Sequence, residues 1–136
     1  KTINLNHISY RISPAGNIKR NDKEIYADVK LWCKGGYCDI ILPQIYFGFE
    51  NETLPFEECL NSWLEITDTD KVTLIPALAL YKRGKGDIYA GKGKNEWLKN
   101  DDVITAQIDL IREKNCRGFA LYSSSYINIS ETFIAG

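Results

Sequence analysis

The apolar residues of this chain follow two alternating patterns, and that alternation restricts the fold more than any other property of the sequence. Four strand-like runs, about Ile8–Ser13, Asp39–Phe47, Val72–Tyr81 and Arg117–Ser123, are separated by three stretches of helical periodicity. The middle two runs are nearly continuously apolar, as in strands covered on both faces, which is the condition of strands in a parallel sheet. In the first helical stretch Ile25, Val29, Trp32 and Cys33 recur at helical spacing, and Gly35-Gly36 ends it. The second puts Phe56, Cys59, Leu60, Trp63 and Leu64 on one face. Pro55 suits its first turn, and Glu57 and Glu58 suit the positive end of its dipole. The third spans about Asp101–Lys114, with Ile104, Ile108 and Ile111 as its stripe and Asn100 as its candidate cap. Arg112 and Lys114 lie at its carboxyl end, where cations are favoured. The expected order is β-α-β-α-β-α-β. At this spacing that means right-handed βαβ units and an α/β fold with parallel strands.

No linker or shift in composition interrupts the 136 residues, so they read as a single domain with room for a sizeable core. A hydrophobic content of 44% and a charged content of 26% fit a globular domain. The net charge of -1 gives no electrostatic reason to expect nucleic acid or an anionic membrane as partner. No apolar run approaches the roughly 18–20 residues needed to span a bilayer, and the first residues lack a signal-peptide pattern. The cysteines are Cys33, Cys38, Cys59 and Cys116; none forms C-x-x-C, and the single His7 is far from them in sequence. No zinc site is expected. Cys33 and Cys59 fall on apolar helix faces and Cys38 borders a strand, so they read as free buried thiols.

The connections are asymmetric. Those after strands are long (Pro14–Lys23, Gly48–Leu54 and Lys82–Lys99), whereas those entering strands are short. Long loops at strand carboxyl ends are the usual carriers of function in α/β folds. The residues ending the runs are therefore the candidates for ligand contact: Ser13, then Gln44 and Tyr46, then Tyr81 and Lys82, then Tyr122 and Ser123. Side chains alternate along a strand, so Gln44 and Tyr46 share a face with Ile40 and Leu42, and Tyr81 shares one with Ala77 and Ala79, leaving Leu78 and Leu80 for the helices. Hydroxyls, an amide and aromatic rings converging on one rim suit a sugar; the alternative is that they cap a core and bind each other or water. Arg11 is either an interior cation needing a partner or a solvated surface residue.

Glycoside hydrolysis generally needs two carboxylates flanking the scissile bond, and the strand ends supply none. Asp28, early in the first helical stretch, is the best-placed nearby carboxylate; Glu50, Glu52 and Asp87 are in loops. The segment Gly86–Gly93 nearly matches a phosphate-binding loop but ends in Gly where a hydroxyl would ligate magnesium. Neither a nucleotide nor any other cofactor is expected. Asn51-Glu52-Thr53 and Asn128-Ile129-Ser130 match the N-glycosylation pattern, which carries no weight without a known source.

Taken in order, Ile12-Ser13-Pro14-Ala15-Gly16, Tyr26-Ala27-Asp28 with Trp32, Asp39 through Phe47, Tyr81-Lys82 and Gly118 through Ser123 form a series of motifs over about Ser9–Ser123. This series resembles the glycosyl hydrolase-like family ten, bacterial proteins with a TIM-barrel catalytic domain. The resemblance implies that the chain is the carboxyl-terminal half, the last four βα units, of a (β/α)₈ barrel. It implies carbohydrate hydrolysis, with bacterial cell-wall glycan as one target class, and an extracytoplasmic or envelope location. The acidic pair that the family carries at the end of strand four has no counterpart here, and Arg11 replaces a small residue. The sequence therefore predicts half of a sugar cleft, with Asp28 as its catalytic candidate and with partners in carbohydrate, in the absent amino-terminal half, or in a second copy of itself. A non-catalytic carbohydrate-binding protein on the same scaffold is the alternative.

Overall fold

The computed structural model of the chain describes residues 2–4 and 29–127. The described elements, in chain order, begin with strand β1 (Thr2–Asn4), helix α1 (Val29–Gly35), strand β2 (Ile40–Leu42) and helix α2 (Phe56–Ile66). Strands β3 (Thr73–Leu74) and β4 (Ala77–Leu78) follow, then the short helix α3 (Glu96–Lys99), helix α4 (Val103–Glu113) and strand β5 (Ala120–Leu121). Single 3₁₀ turns cover Leu80–Lys82, Gly91–Asn95 and Ser124–Tyr126. The strands form two small parallel sheets, β1-β2-β3 and β4-β5.

The two sheets share one segment of chain. The amides of Thr73, Ile75 and Ala77 donate to the carbonyls of Asp39, Ile41 and Pro43 at 2.8–2.9 Å, and Ile45 donates to Ala77. On the opposite edge Pro76 and Leu78 accept from Ala120 and Tyr122, both at 2.9 Å. Residues 73, 75 and 77 thus face β2, while 76 and 78 face β5. The run expected as one strand over Val72–Tyr81 is divided at Pro76 because proline has no N–H to give the β5 side. It also ends early, turning into a 3₁₀ helix at Leu80. The run expected over Asp39–Phe47 is regular only at Ile40–Leu42, with an isolated bridge from Gln44 to Ala77, since Pro43 interrupts it in the same way. The last run is regular at Ala120–Leu121 alone. The expected first strand, Ile8–Ser13, lies outside the described residues; the described first strand is Thr2–Asn4, paired with Ile40–Leu42.

Helices α2 and α4 bury the expected faces, whereas of the first expected face only Trp32, half-buried, and Cys33, buried, can be placed. In α2 the buried residues are Phe56, Cys59, Leu60, Trp63 and Ile66, with Leu64 only half-buried. Helix α1 ends where Gly36 takes a φ of +67°, a left-handed conformation that glycine adopts without steric cost. Helix α4 starts later than its sequence suggests: Asn100 does not cap it but accepts from the Asp102 amide at 2.9 Å, a local turn that delays the first helical residue to Val103. The main core joins Ile41, Leu74, Leu78 and Leu80 to α2 and α4 through Phe56, Leu60, Trp63, Val103 and Ile111. A smaller cluster of Tyr46, Ala77 and Ala79, flanked by Tyr81 and Ala120, lies apart from it. Leu78 and Leu80 therefore belong to one cluster and Ala77 and Ala79 to the other, as strand alternation requires. Ala77 and Ala79 are buried, packed with Tyr46 and Tyr81.

Candidate functional site

The carboxyl ends of β2, β4 and β5 converge. Tyr46 leaves β2, Tyr81 and Lys82 lie in the 3₁₀ turn after β4, and Tyr122 follows β5. The Tyr46 ring is buried. It stacks on Tyr122 with ring centroids 5.9 Å apart and meets Tyr81 edge-on, also at 5.9 Å. Tyr81 in turn meets Tyr122 edge-on at 6.1 Å and Tyr126 at 6.3 Å. Edge-to-face and offset stacks are the favoured arrangements of aromatic rings. Tyr122 and Tyr126 remain about half exposed, and the Lys85 ammonium lies 5.1 Å from the Tyr126 ring centre.

Beside these rings is an ion pair. Lys82 Nζ donates to the Asp87 carboxylate at 2.5 Å and to the Tyr46 carbonyl at 2.7 Å. Both partners are largely withdrawn from water, with side chains 17% and 7% exposed. A cation in that position needs a neutralising carboxylate, because an unpaired one would keep its full desolvation penalty. Asp87 spends its other oxygen on the Tyr89 amide at 3.2 Å. A groove of about 590 Å³ opens over these groups, within the roughly 300–1,000 Å³ typical of small-molecule clefts. Its lining includes Tyr46, Tyr81, Lys82, Asp87 and Tyr89.

The loop after β2, which forms one wall, is fastened by a series of hydrogen bonds. The Phe47 carbonyl accepts from Gln107 Nε2 at 2.8 Å. The amides of Phe49 and Glu50 donate to the two oxygens of Glu96 at 2.8 and 3.0 Å. Asn51 Oδ1 accepts from the Thr53 and Leu54 amides at 3.1 and 2.8 Å, and the Glu52 amide donates to Ala90 at 3.1 Å. Asn51 is thus a buried turn residue whose side-chain oxygen is held by two backbone amides. The Gly-rich segment that nearly matched a phosphate-binding loop has a packing role instead. A side chain at Gly93 would collide with the Glu50 backbone, so only glycine allows the two loops to meet.

No protein-family model matches the chain. Over 112 residues, 80% of its length, it is 28% identical to the protein named Glycosyl hydrolase DigH in Escherichia coli K12. The same identity and coverage hold for the proteins of that name in Escherichia coli O157:H7 and Shigella flexneri. The chain is glycosyl hydrolase-like in sequence. It spans about a quarter, 25%, of the length of these relatives.

Of the residues singled out in the sequence, the structure brings Tyr46, Tyr81, Lys82 and Tyr122 together. Gln44 is half-buried one turn of the pleat before Tyr46, with its backbone bridged to Ala77. Ser123 lies next to the cluster, half-buried, its hydroxyl 3.4 Å from that of Ser125. Ser13, Asp28 and Arg11 lie outside the described residues. Glu52 is exposed and pairs with Lys92 at 3.6 Å, while the Glu50 side chain is exposed. Asp87 and Tyr89 join the site from within the long third loop, which is not irregular throughout but includes α3 and a 3₁₀ turn. The clue in the sequence was a carboxylate and an aromatic two residues apart in a loop otherwise rich in lysine and glycine. Among the described residues, no group of His, Cys, Asp and Glu side chains is arranged to hold a metal ion. No described helix is long and apolar enough to cross a membrane. The four cysteines are free, and burial pushes the thiols of Cys33 and Cys59 up to about 11 and about 12.

Proposed function

We propose that this chain supplies the substrate-cleft half of a bacterial glycoside hydrolase acting on polysaccharide or cell-wall glycan. In this reading it is the last four βα units of a (β/α)₈ barrel of the glycosyl hydrolase-like family ten, and the remainder of the barrel belongs to a longer protein. The observation that carries it is the convergence of Tyr46, Tyr81 and Tyr122 beside the Lys82–Asp87 pair at the carboxyl ends of parallel strands, the position where α/β folds place their ligands. The similarity to proteins named glycosyl hydrolase supports it. Ring faces complement the C–H faces of a sugar, and a paired ammonium offers a directional donor to a neutral hydroxyl without leaving a net charge in the cleft. In this reading Gln44, Tyr122 and Ser123, at the ends of the strand-like runs, contribute further contacts to the sugar, and Ser13 is the contact expected from the first run. Asp28 is the candidate carboxylate on this chain. Asp87 is a poor general acid, because both its oxygens already accept hydrogen bonds.

The engagement of Asp87, the buried carboxylate of the described cleft, also favours a second reading: a carbohydrate-binding protein without turnover. Glycan turnover by the longer protein separates the two. The hydrolase reading expects turnover there and none by the 136-residue chain alone, because among the described residues Asp87 is the one buried carboxylate that lines the cleft. In the longer protein Gln44→Ala is expected to reduce turnover while leaving the thermal midpoint nearly unchanged. One neutral hydrogen bond to substrate corresponds to about 0.5–1.5 kcal/mol. A lowered midpoint with full turnover reassigns Gln44 to the core.

A further inference from the structure

The most exposed large apolar side chains of the described residues are adjacent, and they lie at the mouth of the cleft. Ile88 is 81% exposed and Tyr89 is 87% exposed, and both line the groove. Isolated exposed apolar residues are ordinary, but two together at the edge of a concave site are not. Nor are they on a loose tip. The Asp87 amide donates to Lys94 at 2.9 Å, the Ala90 amide donates back to the Asp87 carbonyl at 3.0 Å, and the Tyr89 amide is held by Asp87 Oδ1. Asp87 is itself buried and bound to Lys82, which is bonded to Tyr46. A continuous chain of hydrogen bonds therefore runs from the backbone carbonyl of Tyr46, through Lys82 and Asp87, to the backbone amide of Tyr89, and so ties the turn that carries the exposed ring to the segment that carries the buried one.

We infer that Tyr89, with Ile88 beside it, is an outer sugar-binding subsite, and that Asp87 is the positioning residue that sets it relative to the inner tyrosines. The inference rests on the reading of the cleft as a carbohydrate site and extends it: a ring at the rim serves a sugar unit beyond those that contact Tyr46 and Tyr81. The ligand it implies is a linear glycan of several units. The turn that presents Tyr89 is already fixed, so ordering it costs little on binding, which is the advantage of a preorganised contact.

The test measures binding of cellobiose, cellohexaose, chitobiose and chitohexaose to the longer protein and to its Tyr89→Ala and Tyr89→Trp variants, by calorimetry, alongside thermal midpoints. The expected result is that a hexamer binds the wild type more tightly than its dimer and that Tyr89→Ala removes about tenfold of that advantage, equivalent to about 1.4 kcal/mol. Dimer affinity should fall by less than hexamer affinity, the midpoint should stay unchanged, and Tyr89→Trp should restore the advantage. Asp87→Asn is expected to weaken hexamer binding in the same sense. A wild type that discriminates by length while Tyr89→Ala does so equally overturns the subsite but leaves the cleft reading intact. A lowered midpoint with unchanged binding assigns Tyr89 to packing against the rest of the longer protein and also overturns it. Failure of every oligomer to bind the wild type overturns the cleft reading, and the subsite with it.

Discussion

Glu96 does not line the cleft, yet it fastens the loop that forms one of its walls. Its carboxylate is 7% exposed and ties down the Phe49 and Glu50 amides, and Gly48 leaves the space that it occupies. Burial raises its pKa above the ordinary 4.5, outweighing the two amides, which act to lower it. A raised pKa means that the folded state keeps a proton which the unfolded chain gives up. The stability this contributes is fully present below about pH 4.5 and is lost as pH rises through the raised value. Thermal midpoints of the wild type should therefore fall across that interval, and Glu96→Gln should flatten the slope. A wild-type slope that survives the substitution would assign the effect to another group. The thiols follow the same logic of burial. Cys116, half-buried while the other three cysteines are buried, should be the first to react with a thiol reagent in the native protein, and Cys59 among the last.

At the scale of elements, α2 puts five buried side chains into the main core. Leu60 is fully buried between the strands and α4. Leu60→Ala should cost about 2–5 kcal/mol, a large share of the roughly 5–15 kcal/mol that holds such a domain together, and urea denaturation would measure it. An effect below the lower bound would mean that the site collapses around the smaller side chain. Helix α2 was readable in the sequence because five buried residues recur at helical spacing over three turns, and that signal is local. The strands were readable as apolar runs but not in their bounds. Pro43 and Pro76 break the ladders, and whether a proline breaks a strand depends on which neighbour its missing N–H would have faced. The last helix hid Gln107, a fully buried amide whose partner, the Phe47 carbonyl, is sixty positions away. The same limit applies to the site. Tyr46, Tyr81 and Tyr122 could be named because each ends a strand, whereas Asp87 and Tyr89 gain their meaning from contacts with Lys82 and Tyr46 that no periodicity encodes.

At the scale of the molecule, the described strands end at β1 on one side and β5 on the other, and each has a single described neighbour. An unpaired strand edge is a template for another chain. We expect the isolated chain to self-associate, with a twofold dimer the simplest outcome. Light scattering over a wide concentration range decides the matter: a constant 15.5 kDa species with one sharp unfolding transition would refute the dimer. The segment between Thr73 and Leu78, which bonds the β2 side through residues 73, 75 and 77 and β5 through residues 76 and 78, has a further consequence. Neither sheet can open without releasing the strand on which the other depends. Hydrogen exchange should then report a single opening event: the amides of Ile75 and Ala77, bonded toward β2, and those of Ala120 and Tyr122, bonded toward the shared segment, should exchange with one common free energy and respond alike to denaturant. Two separate protection classes would mean that the sheets breathe independently, and that the cleft built across them has a hinge.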